Sequence, residues 1–197
     1  MVKAKKQKVW LKIISPSYLG SKVLGEIPAS EPDAAIGRRI ILSAIDVLDD
    51  LSKYYLKFIF KIGKVENDVA YLYFDGLECT RDYISRMVRR KVDRIDIIFD
   101  KLTKNEIKLR IKMVVITRRI PKSIRKKIRK TLIEVVGKDV ENSSLEEFLK
   151  KILSDDYKKS LEQIIRKIYP PKFLEFRKIE VKTSLAEILK KEEQRQQ

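Results

Sequence analysis

The chain has 197 residues, 44% of them hydrophobic, with 45 Lys and Arg against 28 Asp and Glu for a formal net charge of +17. That apolar share excludes global disorder, and the charge excess repels itself unless a polyanion neutralises it, nucleic acid being the usual one. With no histidine and one cysteine, Cys79, an internal disulfide, a Cys/His metal centre and a histidine-based triad are all excluded.

Residues 1–8 form a basic arm carrying Lys3, Lys5, Lys6 and Lys8, expected to order on RNA. Val9 to Ile14 reads as a first strand. Residues 15–37 hold Gly20, Gly25, Gly37, Pro16, Pro28 and Pro32, which reads as a long loop ordered by a partner. Arg38 to Ile45 is β-branched and reads as a strand. Leu56, Phe58, Phe60 and Ile62 alternate, and the turn Glu66-Asn67-Asp68 returns the chain as a hairpin through Val69 to Phe74.

Thr80 is placed to cap a helix from about Arg81 to Lys91, with Ile84, Met87 and Val88 inward. Val92 to Phe99 and Ile107 to Thr117 are a strand pair. In the second strand Ile107, Leu109, Ile111, Met113 and Val115 alternate with Lys108, Arg110 and Lys112, which gives an apolar face and a positive face. From Pro121 the period becomes helical through Ile124, Ile128, Leu132 and Val135, with Gly137 as a stop. Ser144 and Glu147 make a capping box for a short helix. Tyr157, Leu161, Ile164, Ile165 and Ile168 mark another helix. Phe173 to Val181 is a late strand, and Ser184 with Glu187 caps a final helix.

Strands followed by helices imply an α+β chain: a mostly antiparallel sheet or barrel, then a helical C-terminal region with one late strand. The divisions are a basic arm (1–8), a β-rich domain with one inserted helix (9–120), a helical region with a late strand (121–189) and a frayed tail (190–197).

Two basic clusters carry the functional signal. Arg118, Arg119, Lys122, Arg125, Lys126, Lys127, Arg129 and Lys130 fall within 13 positions with no acid before Glu134. The apolar side of that helix holds it down, so the cations crowd the opposite arc, suited to tracking phosphates. A solvated face would mix signs, because like charges one turn apart repel. The second cluster is Arg81, Arg86, Arg89, Arg90, Lys91 and Arg94. Its guanidinium groups grip phosphate bidentately, although Asp82, Asp93 and Asp96 compete for some of them. The RNA-binding set is therefore Lys3, Lys5, Lys6, Arg81, Arg86, Arg89, Arg90, Arg118, Arg119, Lys122, Arg125, Lys126, Arg129 and Lys130.

Enzyme signals are poor. No phosphate-binding glycine loop or nucleophile elbow occurs. The pairs Asp49-Asp50 and Asp155-Asp156 read as turn and helix-start residues. No catalytic residue, metal, cofactor or small-molecule substrate is expected. No stretch approaches the roughly 20 apolar residues of a membrane span, and the basic start lacks the apolar core of a signal peptide, so a cytoplasmic protein is expected. The alternatives are an RNA-modifying or RNA-processing enzyme, and a basic adaptor for an anionic surface.

The segment FDGLECTRDYISRMVRR (74–90), followed by VDRIDIIFDKLTKN (92–105), resembles the centre of the archaeal and eukaryotic ribosomal protein family S-three-Ae, also called S-one-e. VWLKIISPSYLG (9–20), LGEIPAS (24–30), IGRRIILSAIDVLDD (36–50), IRKKIRK (124–130) and IRKIYP (165–170) follow the family's order, so the resemblance spans about residues 8–185. Pro171 stands where the family pattern has an apolar residue. The resemblance implies a non-catalytic constituent of the small ribosomal subunit on its platform side, near the messenger exit. Its partners would be small-subunit rRNA and neighbouring ribosomal proteins. The lack of a long C-terminal extension resembles the archaeal form. The family supplies no sharp set of binding residues, so the set above rests on charge geometry.

Overall fold

The computed structural model describes residues 8–184 and 187. It has the α+β order expected, mostly strands and then helices and a late strand. The chain divides into two compact units. One holds residues 8–76 with 184 and 187, and the other holds 77–183. The sequence-expected arm at Lys3, Lys5 and Lys6 and the tail 190–197 lie outside the described residues.

The first unit is built on β1 (Val9–Ile14), β2 (Val23–Ala29), β3 (Arg39–Ser43), β4 (Leu56–Glu66) and most of β5 (Val69–Cys79). In β1, Leu11 and Ile13 are buried while Lys12 faces water. The expected loop 15–37 contains β2, which pairs antiparallel with β1 from Val9↔Ala29 to Ile14↔Val23. Two breakers hide this strand. Pro28 is tolerated because β2 stands at the end of the strand order. Gly25, at φ +146°, sits where the register shifts by a bulge.

A short helix, α1 (Ala44–Leu48), replaces the end of the strand expected over Arg38 to Ile45, and the Ser43 hydroxyl accepts from the Ile45 N–H at 3.4 Å. In β4, Leu56, Phe58, Phe60 and Ile62 are buried on alternate positions as expected. Asn67 and Asp68 both take positive φ, +47° and +61°, the two-residue turn that matches the twist of a hairpin.

The second unit begins with the end of β5 and α2 (Arg81–Met87). It continues with β6 (Val92–Leu102), β7 (Lys108–Arg118), α3 (Lys122–Glu141), α4 (Leu145–Leu153), α5 (Asp155–Arg166) and β8 (Phe173–Val181). β6 and β7 pair antiparallel from Val92↔Arg118 to Leu102↔Lys108, and β8 pairs antiparallel with β7. The strand order is β2-β1-β5-β8-β7-β6, with β3 and β4 off that path. Most pairs are antiparallel, β1 with β5 is parallel, and the sheet does not close.

One face of the β6–β7–β8 group carries Ile95, Ile97, Ile111, Met113, Val115, Phe176 and Ile179, all at most 1% exposed. α3 packs on β6, and α5 packs on β8, where Tyr157 stacks on Phe176 at 6.2 Å. Each such buried side chain contributes roughly 1.5–3 kcal/mol.

Gly137 does not stop α3. It is buried in mid-helix, where a Cβ would come within 3.1 Å of the Lys101 Cε. Its bare backbone lets Lys101 cross the helix and reach Glu141 at 2.5 Å. The capping box at α4 forms as expected. Ser144 Oγ accepts from the Glu147 N–H at 3.2 Å, and the Glu147 carboxylate accepts from the Ser144 N–H at 2.9 Å. Ser184 likewise accepts from the Glu187 N–H at 3.3 Å, but the rest of that final helix lies outside the described residues.

Candidate nucleic-acid interface

The β6/β7 register decides where the cations go. Val92 opposes Arg118, so Arg89, Arg90 and Lys91 enter the hairpin where Arg118 and Arg119 leave it. Two clusters about thirty residues apart thus meet at one end of one strand pair. Lys122 begins α3 three residues beyond Arg119. The sequence holds no acid from Tyr83 to Val92 or from Arg118 to Ile133.

Local conformation keeps these side chains outward. α2 ends at Met87 rather than Lys91, so Arg89, Arg90 and Lys91 lie beyond the helix. Lys91 takes φ +62°, turning the chain into β6. The Arg89 Nε donates to the Arg86 carbonyl at 3.5 Å, tying off that end. Thr80 sits at the N-cap position of α2, but its side chain makes no capping hydrogen bond. Arg81, Arg86, Arg89, Arg90, Arg118, Arg119, Lys122, Lys126, Arg129 and Lys130 are exposed.

The cations on α3 divide by what they touch. Arg125 is half-buried. Its Nη2 lies 3.3 Å from Asp93, and its Nε donates to the Ile120 carbonyl at 3.2 Å. Asp93 also accepts from the Ile120 N–H at 2.9 Å. Arg129 donates from Nε to the Asp96 carbonyl at 3.2 Å. These two arginines tie α3 to β6. Lys130 lies 3.8 Å from Glu134 across one exposed turn, a weak pair. Lys122, Lys126 and Lys127 form no ion pair with any described residue, and neither do Arg86, Arg89, Arg90, Arg118 and Arg119.

The cations of the expected positive face of β7 are ion-paired with acids of the neighbouring strands. Arg110 forks onto Asp100 with Nε and Nη2 at 2.7 and 2.8 Å. Lys112, Lys178 and Lys182 surround Glu180 at 3.0, 3.3 and 3.0 Å. Burial alone would raise the Glu180 carboxyl, but hydrogen bonds from the three lysines outweigh it and hold the group at about 2. Further along that face Val114 and Ile116 are buried. The sequence showed the lysines and arginine of β7 but not the acids that the neighbouring strands set against them.

The acid pairs behave as turn and helix-start residues. Asp50 accepts from the Ser52 N–H at 2.9 Å, and Asp155 and Asp156 open α5. Cys79 is 2% exposed, and burial pushes its thiol up to about 12, where it stays protonated and unreactive. Among the described residues, no group of three or more Cys, Asp or Glu side chains is placed to hold a metal. No described helix is long and apolar enough to cross a membrane.

What the interface can do is electrostatic. Guanidinium and ammonium groups that pair with no described residue, at one hairpin end and along the start of α3, meet phosphates without first breaking pairs among those residues.

Known sequences agree with this basic, strand-then-helix chain. The sequence model of the Ribosomal S3Ae family matches residues 2–184. Small ribosomal subunit protein eS1 of Methanopyrus kandleri is 37% identical over 181 residues, covering 89% of this chain and 86% of its own. The protein of that name from Aeropyrum pernix is 36% identical over 182 residues, covering 90% and 83%. The one from Archaeoglobus fulgidus is 33% identical over 183 residues, covering 91% and 87%. The chain belongs to the ribosomal S3Ae family.

Proposed function

We propose that this chain is a non-catalytic structural constituent of the small ribosomal subunit, where it binds rRNA and neighbouring ribosomal proteins in the cytoplasm. The observation that carries the reading is the β6/β7 register. It gathers Arg89, Arg90, Arg118 and Arg119 at one hairpin end, beside the first turns of α3. Membership of the ribosomal S3Ae family supplies the context, and its relatives are named as small-subunit proteins.

The mechanism is placement. A packed apolar layer of strands and helices fixes the positions of the cations, and the cations draw rRNA phosphates together by releasing their counterions. Arg86, Lys122, Lys126 and Lys130 extend the same surface, and Arg81, Arg125 and Arg129 border it. Lys3, Lys5 and Lys6 belong to the same reading as a basic arm laid on RNA.

Sedimentation of an extract through a sucrose gradient tests this. The chain is expected to travel with small subunits and to leave them as salt is raised. A chain that stays at the top of the gradient at low salt contradicts the proposal.

A further inference from the structure

A second basic site stands in the second unit, where Arg81, at the border of the hairpin-end surface, meets residues of β5 and β8 that the surface does not use. Glu78, Cys79, Arg81, Ile84, Arg177 and Lys178 line a cavity of about 220 Å³. At about 30 Å³ per water, that volume takes a hydrated phosphate group. A bulge makes the site. The register between β7 and β8 shifts at Lys112/Met113, leaving Arg177 as the extra residue. Arg177 and Lys178 then reach acids on one face of the sheet, Asp96 and Glu180, rather than alternating between faces.

The charges at the cavity are not balanced. Lys178 is 3.1 Å from Glu78, which neutralises one cation. Arg177 lies 3.8 Å from the Asp96 Oδ1, beyond hydrogen-bond length, because that oxygen already accepts from Arg94 Nη2 at 2.9 Å. Arg81 is exposed and forms no ion pair with any described residue. Cys79 and Ile84 provide an uncharged floor. Two arginines, one with no ion pair to a described residue and one held only by a 3.8 Å pair, therefore line one small open volume.

We infer that this cavity seats one phosphate group of a polynucleotide, gripped by Arg81 and Arg177, with Lys178 holding the Glu78 carboxylate aside. The inference rests on the RNA-binding reading above and adds a contact point built from β8, outside the α3 surface.

The test uses the full chain carrying Arg81→Gln, Arg177→Gln, or both, with affinity for a small-subunit rRNA fragment measured over a potassium chloride series. The double variant is expected to lose roughly tenfold in affinity at fixed salt and to flatten the slope of log affinity against log salt by about one contact's worth, 0.7–0.9. Thermal melting establishes folding. If Arg177→Gln unfolds the chain, Arg81→Gln alone decides. A folded double variant with unchanged affinity and slope overturns the seat.

A Lys126→Glu/Lys127→Glu variant separates the two readings. If it weakens RNA binding while the cavity variant does not, the seat is wrong and the RNA reading stands. If the unaltered chain binds no RNA at any salt, both fall. Inorganic phosphate is titrated in parallel against the Arg81 Nε–Hε NMR signal. Saturation by free phosphate with an unchanged RNA slope makes the site a free-anion site and overturns the polynucleotide assignment.

Discussion

Lys158 and Glu175 face each other at 2.8 Å with their side chains only 11% and 4% exposed. Glu175 also accepts from the Phe176 N–H at 3.1 Å. Removing one partner strands a buried charge. Lys158→Ala is expected to cost about 3–5 kcal/mol in urea unfolding, while Lys158→Met with Glu175→Leu loses much less. Glu180 works through pH. Its folded pKa, about 2, lies below its ordinary 4.5, so its contribution is full above about pH 4.5 and is lost as pH falls toward 2. Asp100, lowered by its hydrogen bond to Arg110, acts in the same direction. Melting curves from pH 6 down to pH 2 (set by these two ionisations) are expected to show Glu180→Gln with a shallower acid decline than the unaltered chain. An identical decline would remove Glu180 from the acid response.

At the scale of elements, α3 carries both binding and anchoring cations. Lys122→Glu, Lys126→Glu and Lys127→Glu together are expected to weaken rRNA binding by more than tenfold and leave the melting temperature within a few degrees. Arg125→Glu should instead destabilise the fold, because it sets a carboxylate against the half-buried Asp93. Comparing the melting temperatures of the two variants checks this division. In β4, Gly63 has the Tyr73 ring against the place a Cβ would take. Gly63→Ala is expected to cost about 1–3 kcal/mol by chemical denaturation.

These details mark what the sequence could show. β4, β6 and β7 were legible because a half-buried strand alternates, and α3 to α5 because their apolar stripes recur at helical spacing. β2 was not, because Gly25 and Pro28 read as loop residues until the end position and bulge that accommodate them are known. α1 was hidden in the apolar run that continues β3. The cation density of 118–130 is local and was visible. Its meeting with Arg89 and Arg90 depends on strand register, and the tether from Arg125 to Asp93 spans about thirty residues. Arg177 was missed because only a bulge turns it toward the cavity.

Across the whole molecule, which carries a net charge of +17, many acids sit in internal pairs, as at Asp100, Glu180, Asp93 and Glu175, while the hairpin-end arginines pair with none of the described residues. The excess is thus concentrated where RNA can meet it. The most direct measurement is the salt dependence of binding to small-subunit rRNA for the unaltered chain and for one carrying Arg89→Gln, Arg90→Gln, Arg118→Gln and Arg119→Gln. The variant is expected to show a slope shallower by about 3, near 0.7–0.9 per lost contact, with melting unchanged. Equal slopes for two folded proteins would contradict it.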